Sequence, residues 1–253
     1  MSKDPLAVVT GASSGIGAEF TRALVSRGYR VLAVARRKDR LDHLATESEG
    51  RVIPQVLDLV EYGSVQAVAD RAEELGGADL LVCNAGRGVY GRFAETESQE
   101  TLEMLQLNVM TSTDLLSKVV PSMVERGRGG IIVVSSNLGF VATPYLAAYA
   151  GSKAFLLSFT QALASELRGS GVRAMALCPG PTISEFSEVA RLGDKVERTP
   201  GHTTCAQVVS GALRAWDADR TVTVPGTVTK LMTMALDRSP RSLSRRVMER
   251  IFR

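Results

Sequence analysis

The sequence predicts one α/β domain built on a doubly wound, seven-stranded parallel sheet with helices on both faces. Short apolar segments alternate with amphipathic segments of helical length along the chain, a pattern typical of parallel strands joined by crossover helices. At 253 residues and 45% apolar content, the chain is long enough to bury the core of one such domain. No second domain is required.

Seven strands are predicted at 6–10, 30–35, 52–56, 80–83, 131–135, 172–178 and 221–224. Helices are predicted near 15–27, 38–48, 63–75, 98–126, 146–168 and 204–217. The irregular segment 179–203 is too long for an ordinary crossover loop, and such loops are usually functional or mobile. Within it, Ile183, Phe186, Val189 and Leu192 have the spacing of one apolar helix face, which suits either a lid over a pocket or ordinary packing.

Charge and cysteine content narrow the possible functions. Thirty basic against 27 acidic residues give a net charge of +3, too small to indicate nucleic-acid binding by the whole chain. Cys83, Cys178 and Cys205 lack metal-ligand spacing, so we predict free thiols and no metal site. The start of the chain does not resemble a secretory signal and no apolar stretch approaches 18 residues, so a cytoplasmic location is expected.

A glycine-rich run follows the first predicted strand and opens the first helix. It reads Thr10-Gly11-Ala12-Ser13-Ser14-Gly15-Ile16-Gly17. Gly11 permits a tight turn, Gly15 lets the backbone approach a pyrophosphate, and Gly17 allows close helix-to-strand packing. The free N–H groups and dipole of the helix favour an anion there. We predict contacts to a dinucleotide from Gly11, Ser13, Ser14, Gly15, Ile16 and Gly17, although such a run also occurs as a plain strand-to-helix turn.

The end of the second strand indicates which dinucleotide is bound. An NAD site usually carries an acid here for the ribose 2′-hydroxyl, whereas Ala35 is followed by Arg36 and Arg37, which suit a 2′-phosphate. The predicted cofactor is therefore NADPH. The alternative is that these arginines form only a solvated, basic start of a helix, which opposes the helix dipole.

Three residues indicate carbonyl chemistry. Tyr149 and Lys153 are four residues apart and lie on one face of the predicted helix 146–168, while Ser136 ends an apolar strand. A phenol has a pKa near 10, and a neighbouring ammonium is expected to lower it toward 7, a change of roughly 4 kcal/mol. Taken singly, the three residues also suit a core tyrosine, an exposed lysine and a strand-end cap.

Together with Asn84-Ala85-Gly86 and Pro179-Gly180, these motifs resemble the classical short-chain dehydrogenase/reductase family over residues 6 to about 225. The resemblance implies a Rossmann-like domain with Ser136, Tyr149 and Lys153 as catalytic residues and Asn108 holding a water in a proton relay. It also implies cofactor contacts from Tyr149, Lys153, Asp58, Asn84, Ala85, Gly86, Pro179, Gly180 and Thr182. Cys83 departs from the asparagine that often precedes Asn84. Ser135 competes with Ser136, but neighbouring strand residues face opposite sides and the usual spacing favours Ser136.

The predicted activity is hydride transfer between NADPH and a ketone or aldehyde. Two alternatives stay open: an NAD-dependent alcohol dehydrogenase, and a non-catalytic, NADP-binding regulatory protein. Segments 87–97 and 183–205 are expected to line the substrate pocket. The resemblance also implies a homo-oligomer, either a dimer or a tetramer.

The C-terminal segment 226–253 extends the catalytic unit 1–225. It carries seven basic and two acidic residues among apolar ones, which predicts two short basic amphipathic helices. Such helices suit packing on their own domain, a subunit contact or, in third place, peripheral contact with an anionic membrane. The segment also resembles that of reductases acting on long-chain 3-oxoacyl lipids, so a lipophilic or 3-oxoacyl substrate is one expectation.

Overall fold

The computed structural model describes residues 4–192 and 199–253, and within them one parallel sheet organises the chain. Its strand order is β3-β2-β1-β4-β5-β6-β9. Successive strands are therefore added toward one edge from β1 to β3 and toward the other edge from β4 onward. The strands are β1 (Leu6–Thr10), β2 (Arg30–Ala35), β3 (Val52–Val56), β4 (Leu80–Cys83), β5 (Gly129–Val134), β6 (Val172–Leu177) and β9 (Val222–Thr223). All described pairs are parallel. The predicted doubly wound, seven-stranded sheet is confirmed.

The first four predicted strands have the predicted bounds, and the later ones differ at their ends. β5 begins two residues early because Gly129 and Gly130 pair with Val172 and Arg173, although glycine gives no apolar signal. β9 pairs with β6 only through Val222 and Thr223, which makes it shorter than the apolar stretch suggested.

Helices cover both faces of the sheet. They are α1 (Gly15–Ser26), α2 (Lys38–Glu47), α3 (Ser64–Glu74), α4 (Ser98–Leu105), α5 (Ser112–Glu125), α6 (Ala147–Glu166), α7 (Glu185–Val189), α8 (Cys205–Asp217), α9 (Thr227–Arg238) and α10 (Arg241–Phe252). The predicted helix 98–126 is α4, a π-helical segment at Gln106–Thr111, and α5. Such segments often occur at functional sites.

Alternation along the strands divides the core into two layers. In β1, Leu6 and Val8 pack with α3, α5 and α6, whereas Ala7 and Val9 pack with α1, α2 and α8. Because both faces are covered, the central strands are buried throughout. Their carboxyl ends therefore meet at one well-fixed edge.

The long segment after β6 is more ordered than the sequence suggested. A two-stranded sheet joins β7 (Thr182–Ile183) to β8 (Thr203–Thr204), and α7 lies between them. Of the predicted apolar face, Phe186 and Leu192 pack near Tyr149, and Val189 lines the same cavity with them. Ile183 is exposed and does not line this cavity. Positions 193–198 of the predicted pocket segment lie outside the described residues.

The C-terminal segment forms the two predicted helices, which pack on their own domain. The Tyr90 hydroxyl donates to the Phe252 carbonyl oxygen at 2.5 Å, and Met248 is buried. On the outer side, Val228, Leu231 and Leu243 are exposed. No helix among the described residues combines the length and apolar content needed to cross a membrane.

Candidate active site

A cavity of about 680 Å³ lies at the carboxyl ends of the parallel strands, where open α/β sheets bind their ligands. It is continuous from the glycine-rich run, past the predicted catalytic residues, to the C-terminal helices. Every predicted site residue except Gly17 and Asn108 lines it. The predicted cofactor-binding residues and the predicted catalytic residues therefore line one cavity.

The glycine-rich turn has the geometry that dinucleotide binding requires. Gly11 and Gly15 have φ of +67° and +56°, values that side chains with a Cβ rarely adopt. A Cβ on Gly17 would lie 2.2 Å from the Gly11 carbonyl oxygen, so α1 could not pack this close to the turn with any other residue. The first N–H groups of α1 have no partner within the helix, as in anion sites at helix N-termini. These residues fit a pyrophosphate.

The two predicted phosphate-binding arginines lie at the rim of the cavity. Arg36 Nη1 donates to Asp58 Oδ2 at 3.3 Å, so the residue expected at the adenine also holds Arg36. Arg37 Nε donates to Ser13 Oγ at 3.1 Å and its Nη2 to Ser14 Oγ at 2.6 Å. The Arg37 guanidinium therefore lies beside the glycine-rich turn, whereas that of Arg36 lies beside Asp58.

Asn84 ties the strands together beneath the cofactor site. Its Nδ2 donates to the Thr10 carbonyl oxygen at 2.9 Å, and its backbone N–H donates to Thr10 Oγ1 at 3.0 Å. The Ala85 N–H donates to the same hydroxyl. The expected stabilisation of the central sheet by 84–86 thus has a direct structural basis.

The two candidate serines are separated by strand alternation. Ser135 Oγ donates to the Lys153 carbonyl oxygen at 2.6 Å, which turns it into the α6 backbone. Ser136 Oγ accepts from the Leu138 N–H at 3.1 Å and is hydrogen-bonded to Tyr149. Ser136 is therefore the serine whose hydroxyl lies beside Tyr149 in the cavity.

Tyr149 and Lys153 lie on the face of α6 that is turned to the cavity, and both are buried. Lys153 Nζ donates to the Val134 carbonyl oxygen at 2.9 Å and lies over the Tyr149 ring, 5.8 Å from its centroid. The spacing of four residues therefore brings the two groups together, as predicted.

The expectation that Lys153 lowers the pKa of Tyr149 is wrong for the chain by itself. Burial raises the pKa of Tyr149 to about 12, and the hydrogen bond with Ser136 opposes that rise only in part. Burial also lowers the pKa of Lys153 to about 8. Removal from water disfavours the phenolate, and this effect of burial exceeds the opposing effect of Ser136. At neutral pH the phenol is protonated and the lysine is still mainly charged.

Asn108 lies in the π-helical segment and is fully buried. Its Oδ1 accepts from the Arg87 N–H at 3.0 Å, and its Nδ2 donates to the Arg87 carbonyl oxygen and to Ser152 Oγ. The side chain thus fixes the backbone after β4 against α6. The role of Asn108 in holding a relay water stays a prediction.

The predicted nicotinamide loop follows β6. Pro179 accepts a backbone hydrogen bond from the Asn137 N–H at 2.8 Å, and Thr182 Oγ1 donates to the Gly180 carbonyl oxygen at 2.9 Å. A Cβ on Gly180 would lie 2.3 Å from Thr229, so α9 packs directly on this loop. The loop therefore lies between the segment that follows β5 and helix α9.

The sequence did not predict two features of the cavity. Glu185 lies in the segment 183–205 that was expected to line the pocket, but its pairing with Arg37 was not expected. Apolar residues of the C-terminal helices were not expected in the cavity wall: Met232, Leu236, Met248, Ile251 and Phe252. The amphipathic pattern of 226–253 gave the helices, but it carries no information on which surface they cover.

Comparison with known proteins agrees with this site. Residues 5–194 match the family model described as short chain dehydrogenase. The chain belongs to the short-chain dehydrogenase/reductase family. The curated relatives that it matches are named as a short chain dehydrogenase, an oxidoreductase and a reductase.

Three relatives illustrate the range of this family. An uncharacterized oxidoreductase of Myxococcus xanthus (strain DK1622) is 38% identical over 185 residues, covering 72% of this chain and 73% of that protein. A very-long-chain 3-oxoacyl-CoA reductase of Phaeosphaeria nodorum is 35% identical over 179 residues, covering 66% of this chain and 51% of that protein. A short-chain dehydrogenase from Sphingobium yanoikuyae, solved in complex with NADPH, is 32% identical with a TM-score of 0.84 over 94% of each chain.

These matches support the family more strongly than any one activity. The matches cover 51% to 73% of the first three curated relatives. Other solved relatives hold NADP+ or NAD. The choice of dinucleotide and of substrate therefore has to be argued from the residues of this chain.

Proposed function

We propose that this short-chain dehydrogenase/reductase is an NADPH-dependent carbonyl reductase acting on lipophilic ketones or aldehydes. The observation that carries the proposal is the continuous cavity. It joins the glycine-rich turn and two arginines to the Ser136–Tyr149–Lys153 group, and it ends in an apolar wall. A dinucleotide and a carbonyl substrate can meet there at one point.

The protonation states suit reduction. In this scheme the cofactor supplies the hydride. Ser136 donates a hydrogen bond to the substrate carbonyl oxygen and Tyr149 gives that oxygen a proton. A phenol with a pKa of about 12 is protonated at neutral pH, so it is already in the form that a proton donor needs. Oxidation needs the phenolate, which burial disfavours.

Lys153 has two tasks in this scheme. Its ammonium lies beside the Tyr149 ring and stabilises the phenolate formed after proton transfer. By its resemblance to the family, it would also bond the nicotinamide ribose. The proton that Tyr149 loses is replaced through Lys153 and a water held near Asn108.

The preference for NADPH rests on charge. Arg36 and Arg37 follow β2, where an NAD site would place an acid. Charge-assisted bonds of this kind contribute about 1.5–3 kcal/mol, or roughly ten- to a hundredfold in affinity. The NADPH-bound Sphingobium yanoikuyae relative supports this choice.

The substrate class follows from the wall opposite the cofactor. Leu146, Phe186 and Leu192 line the cavity together with the apolar residues of α9 and α10. Such a surface favours a long or bulky apolar group beside the carbonyl. A 3-oxoacyl chain fits this description, and the Phaeosphaeria nodorum reductase lends it support.

A ketone and aldehyde panel assayed with NADPH and NADH tests the proposal. We expect NADPH oxidation with apolar carbonyl compounds, including long-chain ones, and much slower turnover with NADH. A protein that binds NADPH but oxidises it with no member of the panel would favour the regulatory alternative. Faster turnover with NADH would favour the NAD-dependent alternative.

A further inference from the structure

We propose that Glu185 competes with the 2′-phosphate of the cofactor for Arg37 and thereby limits the preference for NADPH over NADH. This inference rests on the proposed function, because that function assigns the 2′-phosphate to the arginines after β2. The inference is that Glu185, a residue of the segment expected to line the substrate pocket, also affects which cofactor is preferred.

Each of the three nitrogens of the Arg37 guanidinium donates a hydrogen bond. Besides its bonds to Ser13 and Ser14, Nη1 donates to Glu185 Oε2 at 2.7 Å. The other carboxylate oxygen of Glu185 accepts from Arg40 Nη1. Both arginines are therefore held by one carboxylate, and Glu185 lies in the same cavity wall as Ser13, Ser14 and Arg37. A phosphate bound to Arg37 has to share the guanidinium with Glu185 or displace it.

Charge makes this competition specific for the phosphate. Hydrogen bonds from Arg37 and Arg40 hold the pKa of Glu185 below its usual value, so the carboxylate is charged at neutral pH. A dianionic phosphate beside it meets like-charge repulsion, whereas the neutral 2′-hydroxyl of NADH does not. The pairing groups are about 40% exposed, so solvent screens the effect to severalfold in affinity.

Glu185 also links the cofactor site to the substrate site. It is the first residue of α7, and the next residue, Phe186, packs against the Tyr149 ring with the centroids 5.5 Å apart. The ion pair with Arg37 thus joins the glycine-rich turn to the helix that covers the catalytic tyrosine. Displacing the Glu185 carboxylate from Arg37 would break the connection between the cofactor site and the substrate site.

The test is a binding measurement made without ketone substrate. Isothermal titration calorimetry would give Kd for NADPH and for NADH in the wild type, Glu185→Gln and Glu188→Gln. Glu188 is exposed on the same short helix, so its variant makes the same charge change away from Arg37. We expect Glu185→Gln to raise the ratio Kd(NADH)/Kd(NADPH) about two- to fivefold through tighter NADPH binding. The Glu188→Gln ratio should equal that of the wild type.

An unchanged or smaller ratio in Glu185→Gln would overturn the proposal. Glu185→Ala removes the same charge with a different side-chain size, and it must change the ratio in the same direction. Failure here is distinct from failure of the proposed function. A wild type that prefers NADH contradicts the cofactor assignment, yet the change of ratio between variants still measures the effect of Glu185.

Discussion

At Tyr149, burial sets the protonation state, and the interaction with Ser136 opposes the rise in pKa only in part. The spacing to Lys153 was enough to predict that the two side chains share a face of α6. It could not show that both would be buried, and burial moves the two pKa values in opposite directions. In the cofactor-free chain the Tyr149 phenol is consequently protonated at neutral pH.

Lys153 gives a prediction on the pH dependence of stability. Its pKa is about 8 in the folded chain against an ordinary value of 10.5, so between these values the unfolded chain binds more protons. Stability contributed by this group therefore rises with pH across that window and is lost as pH falls through 8. Relative to Lys153→Met, the wild type should gain roughly 3 kcal/mol in free energy of unfolding between pH 7 and pH 10.

Urea unfolding of both cofactor-free proteins at several pH values measures this difference. Above pH 10 the raised pKa of Tyr149 acts in the opposite direction, because the folded chain then binds more protons and stability falls toward pH 12. The comparison should therefore stop near pH 10. If the stability difference between the two proteins stays constant from pH 7 to 10, the pKa of Lys153 is not lowered in the folded chain.

Ser136 and Ser135 form a matched pair for mutation. Ser136→Ala removes the donor to the substrate carbonyl oxygen and should lower kcat about a hundredfold or more. Ser135→Ala removes the bond to the Lys153 carbonyl and should cost about 1 kcal/mol of stability while turnover is largely kept. Steady-state kinetics and thermal unfolding of both variants check this. Equal losses of turnover would contradict the assignment of Ser136.

Among the elements, α9 and α10 decide what the substrate side of the cavity is like. Their amphipathic pattern predicted two helices and left three possible surfaces open. The structure places their inner residues in the cavity wall, while Leu231 stays exposed. Membrane contact through 226–253 stays a prediction, to be measured by co-sedimentation with anionic vesicles.

The position of Leu236 leads to a prediction on substrate size. Leu236→Phe narrows the apolar end of the cavity, so kcat/KM for bulky ketones should fall about tenfold or more, while small ketones are little affected. Leu231→Phe makes the same exchange on the exposed side of α9 and serves as the control. A uniform loss for small and bulky ketones would indicate that α9 does not limit substrate size.

For the whole molecule, the sequence was sufficient for the sheet and for most of the site. Buried parallel strands and amphipathic helices leave strong local patterns, and for this reason β1 to β4 have their predicted bounds. The glycine-rich turn, Asn84 and Ser136 follow strand ends that the parallel topology brings to one edge, and Tyr149 and Lys153 line the same cavity from α6.

The parts that escaped prediction depend on contacts between distant residues. Arg37 and Glu185 are 148 positions apart, and Tyr90 and Phe252 are 162 apart, so no local pattern records either contact. The π-helical turn around Asn108 and the burial of Tyr149 are likewise set by packing. The predicted homo-oligomer stays a prediction that sedimentation equilibrium would measure.

The most direct test of the central claim is single-turnover reduction of an apolar ketone by the NADPH-bound Tyr149→Phe variant. We predict that NADPH binds with near wild-type affinity, because the ring is kept, while the rate of hydride transfer falls by a factor of about a thousand or more, because the proton donor is lost. Reduction at a rate close to that of the wild type would contradict the assignment of Tyr149 as the proton donor.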